Sequence, residues 1–560
     1  MKTLKRKSLI LSLVVLIAGG LGSISFVESY FEISKNLDIF SSLYRDVNTY
    51  YVDETNPGEL VKTGIDAMLK SLDPYTNYIP EADIEDFRFM TTGAYGGIGA
   101  LIRKKGDYVM IAEPYEDSPV LNAGLKAGDL ILEVDGVSAK GKNSADMSQI
   151  LRGQSDSDVE IIVERPTTGE KLNVKLKRKE IKVKDVPYYG MLDDKAGYIT
   201  LTGFTETASR EVKDAFNDLK GQGMQQLVFD LRGNGGGLLR EAVNITNFFI
   251  DRGETVVETK GRTKEWDRTH KAINSPLDKE IPLVVLIDGR SASASEIVSG
   301  TLQDLDRAVI VGQTSFGKGL VQQTFPLSYN AQLKATVAKY YTPSGRCIQR
   351  IDYSHRDERG KANAIADSLT TDFETRNGRI VKDGTGISPD LFVEDDDYSD
   401  LLAIIVSEGF IFDFATDFEH NHAEIADAGS FHLDDAQYQS FIDYCLGQEF
   451  EYKNSSKEML KELKETIKED EFWEEVESEY TALAEKLARD KKEDMMKFRK
   501  EISLVLENEI VSRYYYRKGR IEASLASDKD VKKALDVLGD KDRFSSVLSG
   551  TCDDCLVKKG

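Results

Sequence analysis

The sequence predicts a multidomain α/β protein: a layered core preceded by a small β-rich module, with helical segments at both ends. Three observations predict it. From Ala196 the chain alternates strand and helix patterns, "GYITLTGF", "SREVKDAFNDLKGQG", "QQLVFDLRG", "LLREAVNITNFFI", "PLVVLID", "SEIVSGTLQDL" and "AVIVG". Such alternation builds parallel strands covered by helices, with sites collecting at the carboxyl ends of the strands. Between Gly93 and Ile181, short alternating segments such as "DLILEVDG" and "SDVEIIVERP" are punctuated by Gly and Asp turns, the pattern of strands. Before and after, apolar residues recur at helical spacing.

The 560 residues exceed what one core holds and divide into an N-terminal helical domain (28–92), the β-rich module (93–182), the α/β core (183–395) and an acidic helical region (396–560). Residues 351–383 are polar and poorly patterned, which predicts an insertion or long loop. With 73 basic against 96 acidic residues the net charge is −23, which repels nucleic acid and anionic lipid. Lys2, Lys5, Arg6 and Lys7 precede an uncharged run from Ser8 to Val27, the pattern of an export signal. Residues 1–27 then serve as a cleaved signal peptide or as an inner-membrane anchor, with the rest of the chain outside that membrane. The cysteines Cys347, Cys445, Cys552 and Cys555 are too few for a disulfide scaffold. "CDDC" lacks the second ligand pair of a zinc site and reads as a local disulfide or free thiols. The acidic region, rich in opposite charges three or four apart, reads as a solvated helical domain or a partner surface.

Three stretches end predicted strands: "DLRGNGGG" (Asp230 to Gly237), "DGRSASASEI" (Asp288 to Ile297) and "GQTSFGKGLVQQ" (Gly312 to Gln323). In a doubly wound layer they can converge. A serine nucleophile needs a base within reach and donors for the oxyanion it creates. The histidines His270, His355, His420, His422 and His432 all lie outside these loops, and His270 is the sole contender among them. A lysine can replace histidine where desolvation frees its amine to accept a proton. Lys318, between Gly317 and Gly319 and near Phe316, Leu320 and Val321, fits that need. A phosphate loop is excluded, because "GQTSFGKG" has glycine where the metal-binding hydroxyl belongs. The helix starting near Ser293 presents unpaired amides, Ala294 among them, and Gly236 and Gly237 permit close backbone approach to a carbonyl.

The order "YGGIGA", "GLKAGDLILEVDG", "DLRGNGGG", "SASASEI", "GKGLVQ", "TPSGR" and "GISPD" resembles the carboxy-terminal processing peptidases, also called tail-specific proteases, from about Tyr30 to Val393. The resemblance implies a crotonase/ClpP-like peptidase core with an inserted PDZ domain. It implies Ser293 as nucleophile, Lys318 as general base and Gln322 as the residue orienting the lysine amine. An oxyanion hole from the amides of Ala294 and Gly236 or Gly237 is implied too. Ser291 and Ser295 then read as turn and helix-start residues. The PDZ loop Tyr95, Gly96, Gly97, Ile98 and Gly99 would hold the carboxylate of a substrate's C-terminus while the strand edge pairs with the peptide. Arg152 reads as a solvated arginine or as a coupling residue between module and active site.

These readings predict an exported serine endopeptidase, without cofactor or metal, acting on polypeptides with accessible C-termini. Alternatives are a non-catalytic PDZ scaffold and a crotonase-like acyl-CoA enzyme. The C-terminal helices are expected to form an oligomer, bind an adaptor or stabilise the core.

Overall fold

The computed structural model describes residues 31–452, 455–487 and 490–552, so the expected export segment 1–27 and Cys555 lie outside the described residues. Among these residues, no helix is long and apolar enough to cross a membrane. The described residues form two compact units, one within 31–81 with 322–336 and the other within 82–321 with 337–552.

In the first unit, residues 31–50 are helical, and a second helix, Pro57–Lys70, follows. Its start is set by Pro57 at the first helical position and by the Asn56 carboxamide, which accepts the amides of Gly58 and Glu59 at 3.0 and 3.3 Å. The Asp73 carboxylate takes the amides of Tyr75 and Thr76, both at 2.8 Å, and turns the chain into the strand Asn77–Ile79. That strand runs antiparallel to residues 332–334.

In the second unit, the β-rich module pairs the strands Ala100–Lys105, Tyr108–Pro114, Leu130–Val134, Asp158–Arg165 and Glu170–Lys177 in that order. The helix Ser144–Leu151, started by an Asn143/Asp146 capping box, buries Met147 and Leu151 with Val109, Ile111, Val134 and Ile161. The "GLKAGD" element has a built role: Asp129, 1 % exposed, accepts the Lys126 amide and two bonds from Arg165. Entry strand Ala94–Gly97 and exit strand Lys179–Lys182 pair antiparallel, as an inserted module requires.

The α/β core is a six-stranded sheet ordered Tyr188–Met191, Ala196–Thr200, Gln226–Asp230, Leu283–Ile287, Val309–Gly312 and Leu391–Phe392. All neighbours are parallel except the first pair. Alternate residues of these continuous apolar runs enter different cores, because side chains on a strand point to opposite faces. Leu227, Phe229, Leu283, Val285, Ile287 and Ile310 pack with the helices Ala208–Gly221, Leu239–Thr246 and Ala294–Asp304. Val228, Val284, Leu286, Val309 and Val311 face the C-terminal helix Lys529–Gly539 through Val531, Ala534 and Val537.

Two expectations need correction. Residues 351–383 form two short hairpins, Ile351–Arg356 with Ala362–Ala364 and Asp372–Glu374 with Ile380–Lys382. Arg379 anchors the second by bonds of 2.6 Å to both Asp306 and Asp390; ion pairs leave no apolar period to read. The acidic C-terminal region is likewise more than a solvated domain. Its helices bury Leu401, Phe410, Phe441, Ile442, Met495, Ile502, Leu506 and Ile510 in a core of their own, and its last helices cover the six-stranded sheet.

Leu286 is 0 % exposed in the middle of that covered face. Leu286→Ala should destabilise the core by roughly 2–5 kcal/mol through cavity formation, measured as a shift in the denaturant midpoint. A midpoint unchanged within error would refute this packing.

Candidate active site

The three glycine- and serine-rich loops follow the adjacent parallel strands Gln226–Asp230, Leu283–Ile287 and Val309–Gly312, so their carboxyl ends lie side by side. Polar side chains then bind the loops to one another. Ser291, fully buried, donates to the Leu231 carbonyl at 2.8 Å and accepts the Asp288 amide at 2.9 Å. Ser295, also buried, donates to the Asn234 carbonyl at 2.9 Å, and the same carbonyl takes the Ala292 amide at 3.0 Å. Two of the three serines are therefore structural ties, as turn and helix-start residues should be.

Ser293 differs. It is half-buried at the start of the helix Ala294–Asp304 and holds φ 55° and ψ −109°. A non-glycine residue there carries strain of about 1–3 kcal/mol and persists only where its surroundings over-determine it. Here they do: the buried Tyr340 hydroxyl donates to the Ser293 carbonyl at 3.2 Å, and the Ser293 amide donates to Glu296 Oε2 at 2.7 Å.

Glu296 was not singled out in the sequence, and it organises the site. Its fully buried carboxylate accepts the amides of Ser293 and Lys318 on Oε2, at 2.7 and 2.9 Å. Oε1 accepts the Ser315 hydroxyl at 2.5 Å and the Gly317 amide at 2.7 Å. Burial pushes this carboxyl above its ordinary range, while the Ser315 hydroxyl and the surrounding amides pull it down. The Ser293 turn and the Lys318 loop are thus tied to a single oxygen atom.

Lys318 is half-buried, and Leu320 beside it is buried. Phe316, expected to shield the amine, is instead 37 % exposed, with Arg350 over its ring at 5.8 Å. Gln322 lies on the strand Leu320–Pro326, falls in the other compact unit, and donates through its carboxamide to Thr336 Oγ1 at 3.2 Å.

Gly236 packs so closely that a Cβ added there would stand 2.8 Å from Ser293 Cβ and 2.9 Å from the Ala294 nitrogen. Its φ of 98° and that of 151° at Gly237 suit glycine. The Gly236 amide, however, donates to Asn234 Oδ1 at 2.9 Å. The amides of Gly237 and Ala294 meet no acceptor among the described residues. Of Gly236 and Gly237, the two glycines expected to offer an amide beside that of Ala294, only Gly237 has its amide without an acceptor among the described residues.

In the β-rich module, Tyr95, Gly96 and Gly97 sit in a paired strand rather than a free loop; Ile98 turns into the core, and Gly99 follows at φ 80°. A cavity of about 300 Å³ opens between this segment and the helix Ser144–Leu151, lined by Tyr95, Ile98, Leu101, Ser148 and Leu151. Arg152 also lines it. It is not a solvated arginine: its guanidinium lies over the rings of Phe89 and Tyr95 at 5.6 and 5.1 Å and pairs with Asp86. His270 sits on the strand Arg268–Lys271, opposite Val257, where burial lowers its pKa. Cys347 and Cys445 are free thiols, and Cys552 is in a disulfide.

Of the residues missed, Glu296 had a signal: Ser-x-x-Glu is the spacing of a capping box. Asn234 and Tyr340 had none, because each acts across the fold.

Comparison with known proteins gives the class first. Residues 195–354 match the model "Peptidase family S41", residues 110–165 match "PDZ domain", and residues 401–538 match "Probable PDZ-protease, C-terminal helical domain". The C-terminal region, outside the resemblance read from the sequence, is thus part of a recognised domain. A carboxy-terminal-processing protease of Bartonella bacilliformis is 37 % identical over 321 residues, covering 57 % of this chain and 73 % of that protein. A probable CtpA-like serine protease of Staphylococcus aureus is 38 % identical over 316 residues, covering 56 % of this chain and 62 % of its own length. Among solved structures, a photosystem II D1 C-terminal processing protease matches at 28 % identity, over 63 % of this chain and 92 % of that one, with a TM-score of 0.35. The chain belongs to the carboxy-terminal-processing protease family.

Two predictions follow from this geometry. In Glu296→Gln, one carboxylate oxygen becomes an NH2 that faces donors, so turnover should fall about a hundredfold or more and stability by about 1–3 kcal/mol. Wild-type kcat in a folded variant would refute the clamp. The second concerns Asp185, which takes the Thr205 hydroxyl at 2.5 Å beside Phe204, whose carbonyl holds the Leu238 amide at 2.8 Å. Burial, with the Glu211 charge, lifts its pKa to about 6 against the pull of the Thr205 donors. A raised carboxyl contributes stability at low pH and loses it as pH rises through that value. The drop in melting temperature from pH 5 to 7.5 should therefore be smaller in Asp185→Asn than in wild type; equal drops would refute the assignment.

Proposed function

We propose that this protein is a serine endopeptidase in which Ser293 is the nucleophile and Lys318 the general base, acting on polypeptides captured by their C-termini. One observation carries the reading: Glu296 Oε2 accepts the amides of both residues, at 2.7 and 2.9 Å, at the mouth of the helix Ala294–Asp304. The positive end of that helix favours the negative charge that attack creates.

In the proposed reaction the uncharged Lys318 amine takes the proton from Ser293 Oγ as the oxygen attacks the substrate carbonyl carbon. The tetrahedral oxyanion is held by the amides of Ala294 and Gly237. The lysine ammonium then protonates the departing amine as the C–N bond breaks. Water, deprotonated by the same amine, attacks the acyl-enzyme carbonyl, and the resulting ammonium protonates Ser293 Oγ as the ester bond breaks, releasing the acid and the free serine. The family motif assigns Gln322 to orienting the amine. A parallel sheet whose strand-end loops present amides supports the crotonase/ClpP-like kinship of this core.

Substrate capture is assigned to the groove between Ala100–Lys105 and Ser144–Leu151. Ala100–Lys105 is an edge strand of its sheet, open to an added peptide strand, and the cavity beside it has apolar walls. The segment Tyr95–Gly99 would meet the terminal carboxylate. The basic run followed by an uncharged stretch at the N-terminus supports export to the periplasm, with the protein soluble there or anchored to the inner membrane.

The test is digestion of an unfolded protein with a free or an amidated C-terminus by wild type and by Lys318→Ala. Wild type should cut the free form at least about tenfold faster, and Lys318→Ala should lose activity by about a thousandfold or more, as loss of a catalytic base does. Equal cleavage in all four reactions would overturn both assignments. Activity retained in Ser293→Ala would point to another nucleophile, and a cellular phenotype retained by that inactive variant would favour a scaffold.

A further inference from the structure

The glycine-rich loop has little of its own to hold it. Of the residues 232–237, only Arg232 and Asn234 carry side chains, and glycine loses more conformational freedom on ordering than any other residue. Asn234 ties the loop to the serine turn. Arg232 ties it elsewhere.

All five N–H groups of the Arg232 side chain are engaged. Nε and Nη2 reach the Asp230 carboxylate at 3.0, 3.1 and 2.6 Å. Nη1 donates to Asp528 Oδ1 at 3.0 Å and to Asp530 Oδ2 at 2.7 Å, and Nη2 donates to Asp528 Oδ2 at 2.8 Å. Asp230 is fixed in turn by the Tyr198 hydroxyl at 2.7 Å. Asp528 is the N-cap of the helix Lys529–Gly539 and accepts the Val531 amide at 3.0 Å. The C-terminal helical region thus grips the loop four residues before Gly236.

Docking of that helix does not require the cluster. Val531, Ala534, Val537 and Leu538 already bury it on the sheet. A half-buried guanidinium facing three carboxylates is poor stabilisation, because desolvation offsets much of the attraction. Its distinctive property is geometric: a planar fork with every donor directed leaves the backbone at Arg232 little freedom. Leu231, the preceding residue, accepts the Ser291 hydroxyl, and Gly233 donates to Asp288. The fork therefore sits within the ties that join the glycine loop to the nucleophile turn.

We infer that Asp528 and Asp530 are positioning residues of the peptidase site: through Arg232 they hold the glycine-rich loop where its amide meets the developing oxyanion, so a docked C-terminal helix is a condition for turnover as well as for stability. The inference rests on the serine-peptidase reading above. It gives the C-terminal region a role at the site that helix packing alone does not.

The test uses the full-length chain and peptide-substrate kinetics. The paired variant Asp528→Asn, Asp530→Asn keeps shape and removes the charge that directs the fork. Its kcat should fall about tenfold or more, short of the ~10²–10³ lost when an oxyanion donor is deleted, with KM within about twofold of wild type. Val537→Ala loosens the same helix away from the cluster; its melting temperature should fall while kcat of the folded enzyme stays at the wild-type value. In an Arg232→Met background, the two Asn substitutions should lower kcat no further, as expected of residues acting through one guanidinium. Asp530→Asn alone, which spares the N-cap, replaces the pair if the pair does not fold, and should lower kcat in the same direction. Wild-type kcat in the Asn variants, or an equal kcat loss in Val537→Ala, would overturn the inference. Failure of the peptidase reading is distinguishable, since it appears as Ser293-independent activity in the otherwise wild-type chain.

Discussion

A single buried carboxylate governs the geometry of this site. Glu296 lies one helical turn after Ser293, and its two oxygens accept donors from Ser293, Ser315, Gly317 and Lys318. A carboxylate removed from water needs several donors to remain there. That requirement selects the arrangement: the Lys318 loop must fold back onto the first turn of the helix Ala294–Asp304, or the charge is stranded. The strained backbone at Ser293 is supported from the same side, and the donors that stabilise the acid also overcome that strain.

Around this clamp the fold uses small residues where backbones must approach and polar ties where small residues cannot hold position. Gly236 lies against Ser293 and Ala294 with no room for a methyl group. The freedom of that loop is removed by Asn234 from within and by Arg232 from its beginning. The buried polar residues of the helix Ala294–Asp304 have partners as well: Ser299 bonds the Ser295 carbonyl, Thr301 the Val256 carbonyl, and Gln303 the Ser388 carbonyl and Asp390. A wholly buried helix of this polarity is tolerated because its polar groups are paired.

The central sheet links these local arrangements to the domain plan. One face carries the helices that present Ser293, and the other is covered by the C-terminal helix pair. That same C-terminal region reaches the PDZ module, where Phe412 packs on Met110 and Ala127 and Glu419 pairs with Lys126 at 2.6 Å. Arg103 and Arg513 also lie over the Phe412 ring, at 4.7 and 4.4 Å. The module is therefore supported by the region that closes the sheet.

Much of the architecture was legible because it rests on local periodicity. "LVVLI" is a buried strand wherever it occurs in such an alternation, and "GLKAGD" is a turn whose aspartate needs a partner. The loops at the ends of three strands were legible as a meeting place, and the resemblance marked Ser293 and Lys318 among their residues. Unread were the hairpins at 351–383 and the half-buried setting of Arg152, and of the roles expected of the acidic helices the sequence did not single out covering the core. Ion pairs and cation–π contacts leave no period in a sequence, and a helix that is charged overall hides a narrow apolar face.

What the sequence determined by itself was the main helices and strands, their order and the chemical groups at the strand ends, since each follows from interactions among near neighbours. Tertiary structure alone decided that Ser293 is strained, which carbonyls Ser291 and Ser295 tie, which glycine amide is already engaged, and that Arg232 would meet Asp528 and Asp530 nearly 300 positions away. Those outcomes depend on donors and acceptors pairing across the fold, where each buried polar group takes a partner that only the packed chain supplies.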